Sequence, residues 1–244
     1  MVSEASREPR LGVAFLAFNE EALIAKTVQE AVTSLSAVAG LDWRVLVVND
    51  GSRDRTGEIA EELARKDPRL LVVHHQGNKG YAVATETALR TTPGEVIMVV
   101  DGDGQHTMGD APSFLAAMEQ GADVVFCWKK KRYDPFSRLV LSKGLNILSR
   151  WLLGSPLHDI NAGCRAFRRE VARSLEIRHR INFVGAEIFA RCRIAGWKVA
   201  EVVVRHFPRE AGQSIHRPFN MAGTVARVIR YHIDLRGEIQ RAQQ

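Results

Sequence analysis

Val96-Ile97-Met98-Val99-Val100-Asp101-Gly102-Asp103-Gly104-Gln105-His106 carries the plainest structural and chemical signal in the chain. Five apolar residues, mostly β-branched, read as a strand buried on both faces, the kind found in a parallel sheet. The strand stops at two aspartates one residue apart, each followed by glycine. Carboxylates at i and i+2 of an extended or turning backbone project to the same side. The glycines let a ligand phosphate approach the main chain. Two convergent hard oxygen donors at the carboxyl end of a strand suit Mg²⁺ or Mn²⁺, with substrate phosphate completing the shell. Asp and Gly are also ordinary turn formers, so the pair takes its weight from the rest of the chain.

Upstream, residues 11–18 are apolar and run into Asn19-Glu20-Glu21 and an alanine-rich helix ending at Gly40. A second apolar strand, 43–48, closes on Asn49-Asp50-Gly51-Ser52, and a third, 70–74, on Gln76-Gly77-Asn78-Lys79-Gly80. Strand, acidic or glycine-rich loop, helix: the repetition predicts an α/β domain with a parallel sheet covered by helices on both faces. Ligands of such sheets bind outside the carboxyl ends of the strands, at the switch point. The loops 18–20, 49–52, 78–80 and 101–105 all leave carboxyl ends, so they are expected on one rim.

Downstream, a helix over 110–121 and a strand over 122–128 lead into Lys129-Lys130-Lys131-Arg132, the densest charge block in the chain. Such a run serves as a solvated face or, on this rim, as an anion site. The spacing predicts a helix over 136–153 carrying Arg138, Ser142, Asn146, Ser149 and Arg150 near one face. Its wide apolar cover means burial, or contact with a membrane or a partner. Asp159-Ile160-Asn161-Ala162-Gly163-Cys164 feeds a short strand, and a last strand over 198–205 is followed by His206-Phe207-Pro208-Arg209. From His216 on, Met221, Val225, Val228, His232, Leu235 and Ile239 recur at steps of three and four among arginines. This tail reads as a core-packing or dimer helix, or as a basic amphipathic helix on an anionic membrane.

The 244 residues, 45% hydrophobic and 25% charged, suit a single domain able to bury a full core. No run approaches the roughly 18 apolar residues of a spanning helix. Residues 1–10 lack a signal-like apolar region, and Cys127, Cys164 and Cys192 have no metal spacing. A cytoplasmic protein, peripheral to the membrane at most, is expected. The net charge of +6 and pI near 9.5 call for an anionic partner. With 7% aromatic residues and no RRM, KH, OB or helix-turn-helix signature, nucleic acid is not expected, and a non-catalytic basic binding module stays as an alternative to an enzyme.

Together, Phe18-Asn19-Glu20, Asn49-Asp50-Gly51-Ser52, Asn78-Lys79-Gly80, Asp101-Gly102-Asp103-Gly104-Gln105-His106, Asp159–Cys164 and Arg209 with Gly212 and Ser214 resemble inverting family 2 glycosyltransferases of the GT-A fold. The nearer likeness is to polyprenyl-phosphate sugar synthases of the dolichol-phosphate mannose type, and it covers roughly residues 11–214. The resemblance implies a Rossmann-like, mostly parallel sheet in one domain over 1–215. Its nucleotide-sugar half would span about 11–106 and its acceptor half about 107–215, with 216–244 as a basic helix. It implies that Phe18, Glu20 and Asp50 line the pocket for base and ribose, with Lys79 in the same cleft. Asp101, Gly102 and Asp103 would meet the nucleotide sugar, and Asp101, Asp103 and Gln105 would hold the divalent metal. Arg138 and Ser142 would contact the lipid phosphate and transferred sugar, and Arg209 would clamp phosphate. Asp159 is the candidate base if the acceptor is a hydroxyl. The implied partners are a nucleoside-diphosphate sugar and a polyprenyl phosphate, or a soluble hydroxyl acceptor in natural-product or glycan assembly.

Three departures stand out. Leu16 replaces a usual proline, Asn49 replaces the first of two aspartates, and Cys127-Trp128-Lys129-Lys130-Lys131-Arg132 stands where a small Gly-Ser-Arg segment is usual.

Overall fold

The computed structural model describes residues 8–131, 133, 136–209 and 221–244; the side chains of 136–138, 140–141 and 221–224 lie outside that description. Seven strands form one sheet: β1 (Leu11–Ala17), β2 (Trp43–Asn49), β3 (Leu70–His74), β4 (Val96–Asp101), β5 (Val124–Trp128), β6 (Cys164–Arg168) and β7 (Val199–Val203). Their order is β3-β2-β1-β4-β6-β5-β7. β1 is flanked by β2 and β4, all parallel, with Leu11 opposite both Trp43 and Val96. All seven residues of β1 are buried, as are the five apolar residues of β4. Both faces of these strands are covered, which is why they read as unbroken apolar runs and not as alternating ones.

Helices α1 (Ile24–Ser36), α2 (Thr56–Lys66), α3 (Tyr81–Thr91), α4 (Ala111–Glu119), α5 (Phe136–Leu153), α6 (Arg169–Ser174), α7 (Val184–Ala195) and α8 (Met221–Ala242) complete the domain. One apolar core lies on the side of α1 and α4, the other on the side of α3, α5, α6, α7 and α8. Their buried residues alternate along the strands: Val13 and Phe15 face the first core, Ala14 and Leu16 the second.

β6 departs from the repeating pattern. It runs antiparallel to both β4 and β5, while β7 is again parallel to β5. A strand of reversed direction starts where its neighbours end, so the loop before β6 arrives on the rim that carries the carboxyl ends of the others. The bond from Asp101 N–H to the Gly163 carbonyl (2.9 Å) closes that junction.

The tail helix belongs to the fold. Val228, Tyr231, His232, Leu235 and Ile239 of α8 are buried, and Ser149 of α5 meets His232 Nε2 at 2.8 Å. This is the core-packing reading of that stripe, with Val225 left 41% exposed. Among the described residues, no helix is long and apolar enough to cross a membrane.

Candidate active site

The four turns expected on one rim do meet there. Asp50 N–H bonds the Ala17 carbonyl and Gly102 N–H the Leu16 carbonyl, both at 2.9 Å, so the ends of β1, β2 and β4 are laced together. Asn19, with a left-handed φ of 56°, donates its N–H to Ser52 Oγ (3.0 Å) and accepts from Arg53 N–H (2.9 Å). Asn and Gly tolerate that backbone region best. Glu20 N–H donates to Thr56 Oγ1 at 2.8 Å. Phe18 is half-buried at the same edge.

Asp50 is buried and occupied from within. Its Oδ1 accepts from His75 Nδ1 (2.7 Å) and from Lys79 N–H (2.9 Å), and its Oδ2 from Gly80 N–H (2.9 Å). The contact Lys79 makes with Asp50 is therefore through its backbone, and its side chain is exposed. Asn49, in place of an aspartate, uses both halves of its amide: Nδ2 against His74 Nδ1 (3.0 Å) and Oδ1 accepting from Ser52 N–H (3.1 Å). An aspartate could not donate, so here the substitution suits the site.

Gly80 leads into α3, whose first residue, Tyr81, donates its hydroxyl to Asp101 Oδ1 at 2.9 Å. Burial, and then the charge of Asp103, raise the Asp101 pKa; the Tyr81 hydroxyl, Arg165 and Lys129 oppose that rise. Gln105 N–H donates to Asp103 Oδ1 (3.1 Å), and Gln105 Nε2 to the Phe207 carbonyl (3.2 Å), which leaves the amide oxygen available. Across the rim, Arg209 Nη2 donates to both Glu20 oxygens (2.7 and 2.8 Å), with Nη1 3.7 Å from Asp103 Oδ2. Burial pushes Glu20 up to about 7, against the pull of Arg209.

Three residues join the site beyond the candidates named for it, one of them, Lys129, from the charge block already read as a solvated face or an anion site on this rim. Arg165, only 2% exposed, is a buried cation whose charge acts on Asp101. Lys129, the first of the charge block, turns inward to 3.9 Å from Asp159 Oδ2. Tyr81 is the third. For Arg165 the available signal was an arginine within the apolar strand Cys164–Arg168, since a buried cation needs a reason. Asp159 is buried, and Glu201 Oε1 accepts its N–H at 3.0 Å. Ser142 lies on α5, and the Arg138 side chain falls outside the described residues.

Residues 13–175, more than half of the chain, match the family model described as Glycosyl transferase family 2. The chain is a family 2 glycosyltransferase. Polyprenol monophosphomannose synthase of Mycolicibacterium smegmatis is 35% identical to this glycosyltransferase over 213 residues, covering 82% of this chain and 79% of that protein. Undecaprenyl-phosphate 4-deoxy-4-formamido-L-arabinose transferase of Pectobacterium atrosepticum is 29% identical over 202 residues; the match takes in 81% of this chain but 59% of that longer protein. Glucosyl-3-phosphoglycerate synthase from Mycobacterium tuberculosis, crystallised with Mn²⁺, uridine diphosphate and phosphoglyceric acid, superposes with a TM-score of 0.70 at 19% identity, covering 93% and 78% of the two chains. The GT-A fold of this family 2 enzyme is thereby confirmed, and a non-catalytic binding module is set aside.

The donor set fits a hard divalent cation. Asp101, Asp103 and the Gln105 amide offer oxygen, which suits Mg²⁺ or Mn²⁺ and not softer metals. The mutual repulsion that raises Asp101 is what a dication relieves. Among the described residues no group of three or more His, Cys, Asp or Glu side chains forms a metal cage. A cation here would complete its shell from diphosphate and water.

Proposed function

We propose that this glycosyltransferase moves a hexose, with inversion, from a nucleoside-diphosphate sugar to a polyprenyl phosphate. The observation that carries the reading is the inward-turned Lys129 beside Asp159. A lysine with a side chain only 9% exposed, on the rim that bears Asp101 and Asp103, is suited to a phosphate acceptor. The 35% identical polyprenol monophosphomannose synthase supports the same acceptor class.

In this reading Phe18, Glu20 and Asp50 line the base and ribose pocket; Asp50 does so by fixing the 79–80 turn with its carboxylate. Asp101 and Asp103, with Gln105, would hold Mg²⁺ or Mn²⁺, which when bound would neutralise charge growing on the leaving diphosphate. Arg209 leaves Glu20 to take diphosphate charge, and Gly102, packed against the Leu16 carbonyl that accepts its N–H, seats the turn that carries Asp101 and Asp103 toward the donor. Arg138 and Ser142 on α5 complete the acceptor side. The acceptor phosphate oxygen attacks the anomeric carbon as the bond to the diphosphate oxygen breaks. An ionised phosphate needs no base, so Asp159 serves to hold Lys129. The donor half ends near residue 106, the acceptor half follows to about 215, and the remainder contributes the packed tail helix Met221–Ala242.

Incubation with radiolabelled nucleotide sugars, with and without polyprenyl phosphate, tests this. Metal-dependent label in the organic phase supports it. Label on soluble hydroxyl acceptors alone overturns the acceptor, and would make Asp159 the base.

A further inference from the structure

The mouth of the site carries an unexplained combination of exposed apolar and basic side chains. Val203 ends β7 opposite Trp128 of β5 and is 54% exposed; Tyr133 and Phe207 are 49% and 43% exposed. The backbone of Phe207 is tied directly to Gln105 of the site, and that of Tyr133 to the neighbouring His206. Phe207 N–H donates to the Gln105 carbonyl (3.0 Å), and its own carbonyl accepts from Gln105 Nε2. Tyr133 N–H reaches His206 Nδ1 at 3.5 Å, and Lys131 Nζ stands 5.3 Å from the centroid of the Tyr133 ring. Lys130 and Lys131 are exposed, directly after the inward-turned Lys129.

Separately exposed aromatic and aliphatic tips, interleaved with lysine at loop ends, suit a water–lipid boundary more than a flat protein interface. Aromatic rings settle at headgroup depth, apolar tips sink just below, and lysines draw anionic headgroups. We propose that this lip, Tyr133, Val203 and Phe207 with Lys130 and Lys131, is where the enzyme rests on an anionic bilayer. The assignment deepens the polyprenyl-phosphate reading and rests on it. A lipid phosphate lies in the headgroup layer, so the mouth beside Lys129 must come within a few ångströms of that layer.

The test is flotation of the whole protein with phosphatidylcholine vesicles, with and without phosphatidylglycerol, in the absence of sugar donor and polyprenyl phosphate. The wild type is expected to float with the anionic vesicles and to be released by salt. Lys130→Gln with Lys131→Gln should weaken association about thirtyfold, and Tyr133→Ser with Phe207→Ser at least about tenfold. Thermal stabilisation by nucleoside diphosphate with Mn²⁺ should stay as in wild type, which shows that the variants fold. Should the apolar pair fail to fold, the two surface lysines carry the test alone. Wild-type flotation of both variants overturns the lip. So does a loss seen only with Ile229→Ser and Ile233→Ser, two of the exposed apolar residues of α8. Transfer to detergent-dispersed lipid phosphate without vesicle binding sinks the lip alone. Vesicle binding without transfer to lipid sinks the acceptor assignment and leaves the lip standing.

Discussion

Gly163→Ala separates the stability of this protein from its catalysis. Gly163 has no left-handed φ, so alanine meets no backbone strain there. Its Cβ, however, would stand 1.9 Å from Asp101 Oδ2 and 2.5 Å from Cγ. Ordinary contact begins at 3.4 Å, so the carboxylate must retreat by the difference between 1.9 and 3.4 Å, about 1.5 Å. That retreat breaks the 2.9 Å bond from the Tyr81 hydroxyl. The obstructing atoms end a side chain and are not backbone, so relief is cheap for the fold: about 2 kcal/mol, or roughly 4–8 °C in Tm for a chain of this size. Catalysis fares worse, because about 1 Å of misplacement at a reacting centre costs on the order of 10²-fold. Transfer rate at saturating donor, Mn²⁺ affinity by calorimetry, and urea unfolding give the three readouts. Gly77→Ala, which meets nothing within 4 Å, is the neutral control. Wild-type transfer together with wild-type Mn²⁺ affinity in Gly163→Ala would refute the placing of Asp101 at the metal.

Other outcomes follow from the same geometry. Asp103→Asn is expected to abolish metal-dependent transfer and weaken Mn²⁺ binding in calorimetry while leaving the urea midpoint near wild type, since Asp103 sits in a loop with its side chain 15% exposed. Asp50→Asn sets an NH₂ against donors at 2.7–2.9 Å and should cost about 2–4 kcal/mol in urea unfolding. Lys129→Met should raise KM for polyprenyl phosphate about tenfold or more, with the donor KM little changed. Burial holds His106 down at about 3, against about 6.5 in the unfolded chain. Between those values the unfolded state binds the extra proton, so stability is complete above about pH 6.5 and falls as pH drops towards 3, by up to about 1.4 kcal/mol per pH unit. His106→Gln should flatten that slope in urea melts at pH 7 and pH 5.

Much of this architecture is written in local pattern. The apolar runs of β1, β2 and β4, each closing on a polar turn before a helix, announce parallel strands buried on both faces. They place Glu20, Asp50, Asp101 and Asp103 on one rim before any coordinate is seen. Hydrophobic period and turn chemistry are short-range properties, readable along a dozen residues. The direction of β6 is not. Nothing in the short strand after α5 tells which way it runs, and the segment 154–163 carries the chain back to the rim and reverses it. Only that reversal brings Gly163 against Asp101 and Asp159 against Lys129. The inward turn of Lys129 within a run of four basic residues, the burial of Arg165 where its charge acts on Asp101, and the capture of Arg209 by Glu20 across 189 positions are decided the same way. Which buried charge finds which partner depends on how distant elements pack, and sequence spacing carries no record of that choice.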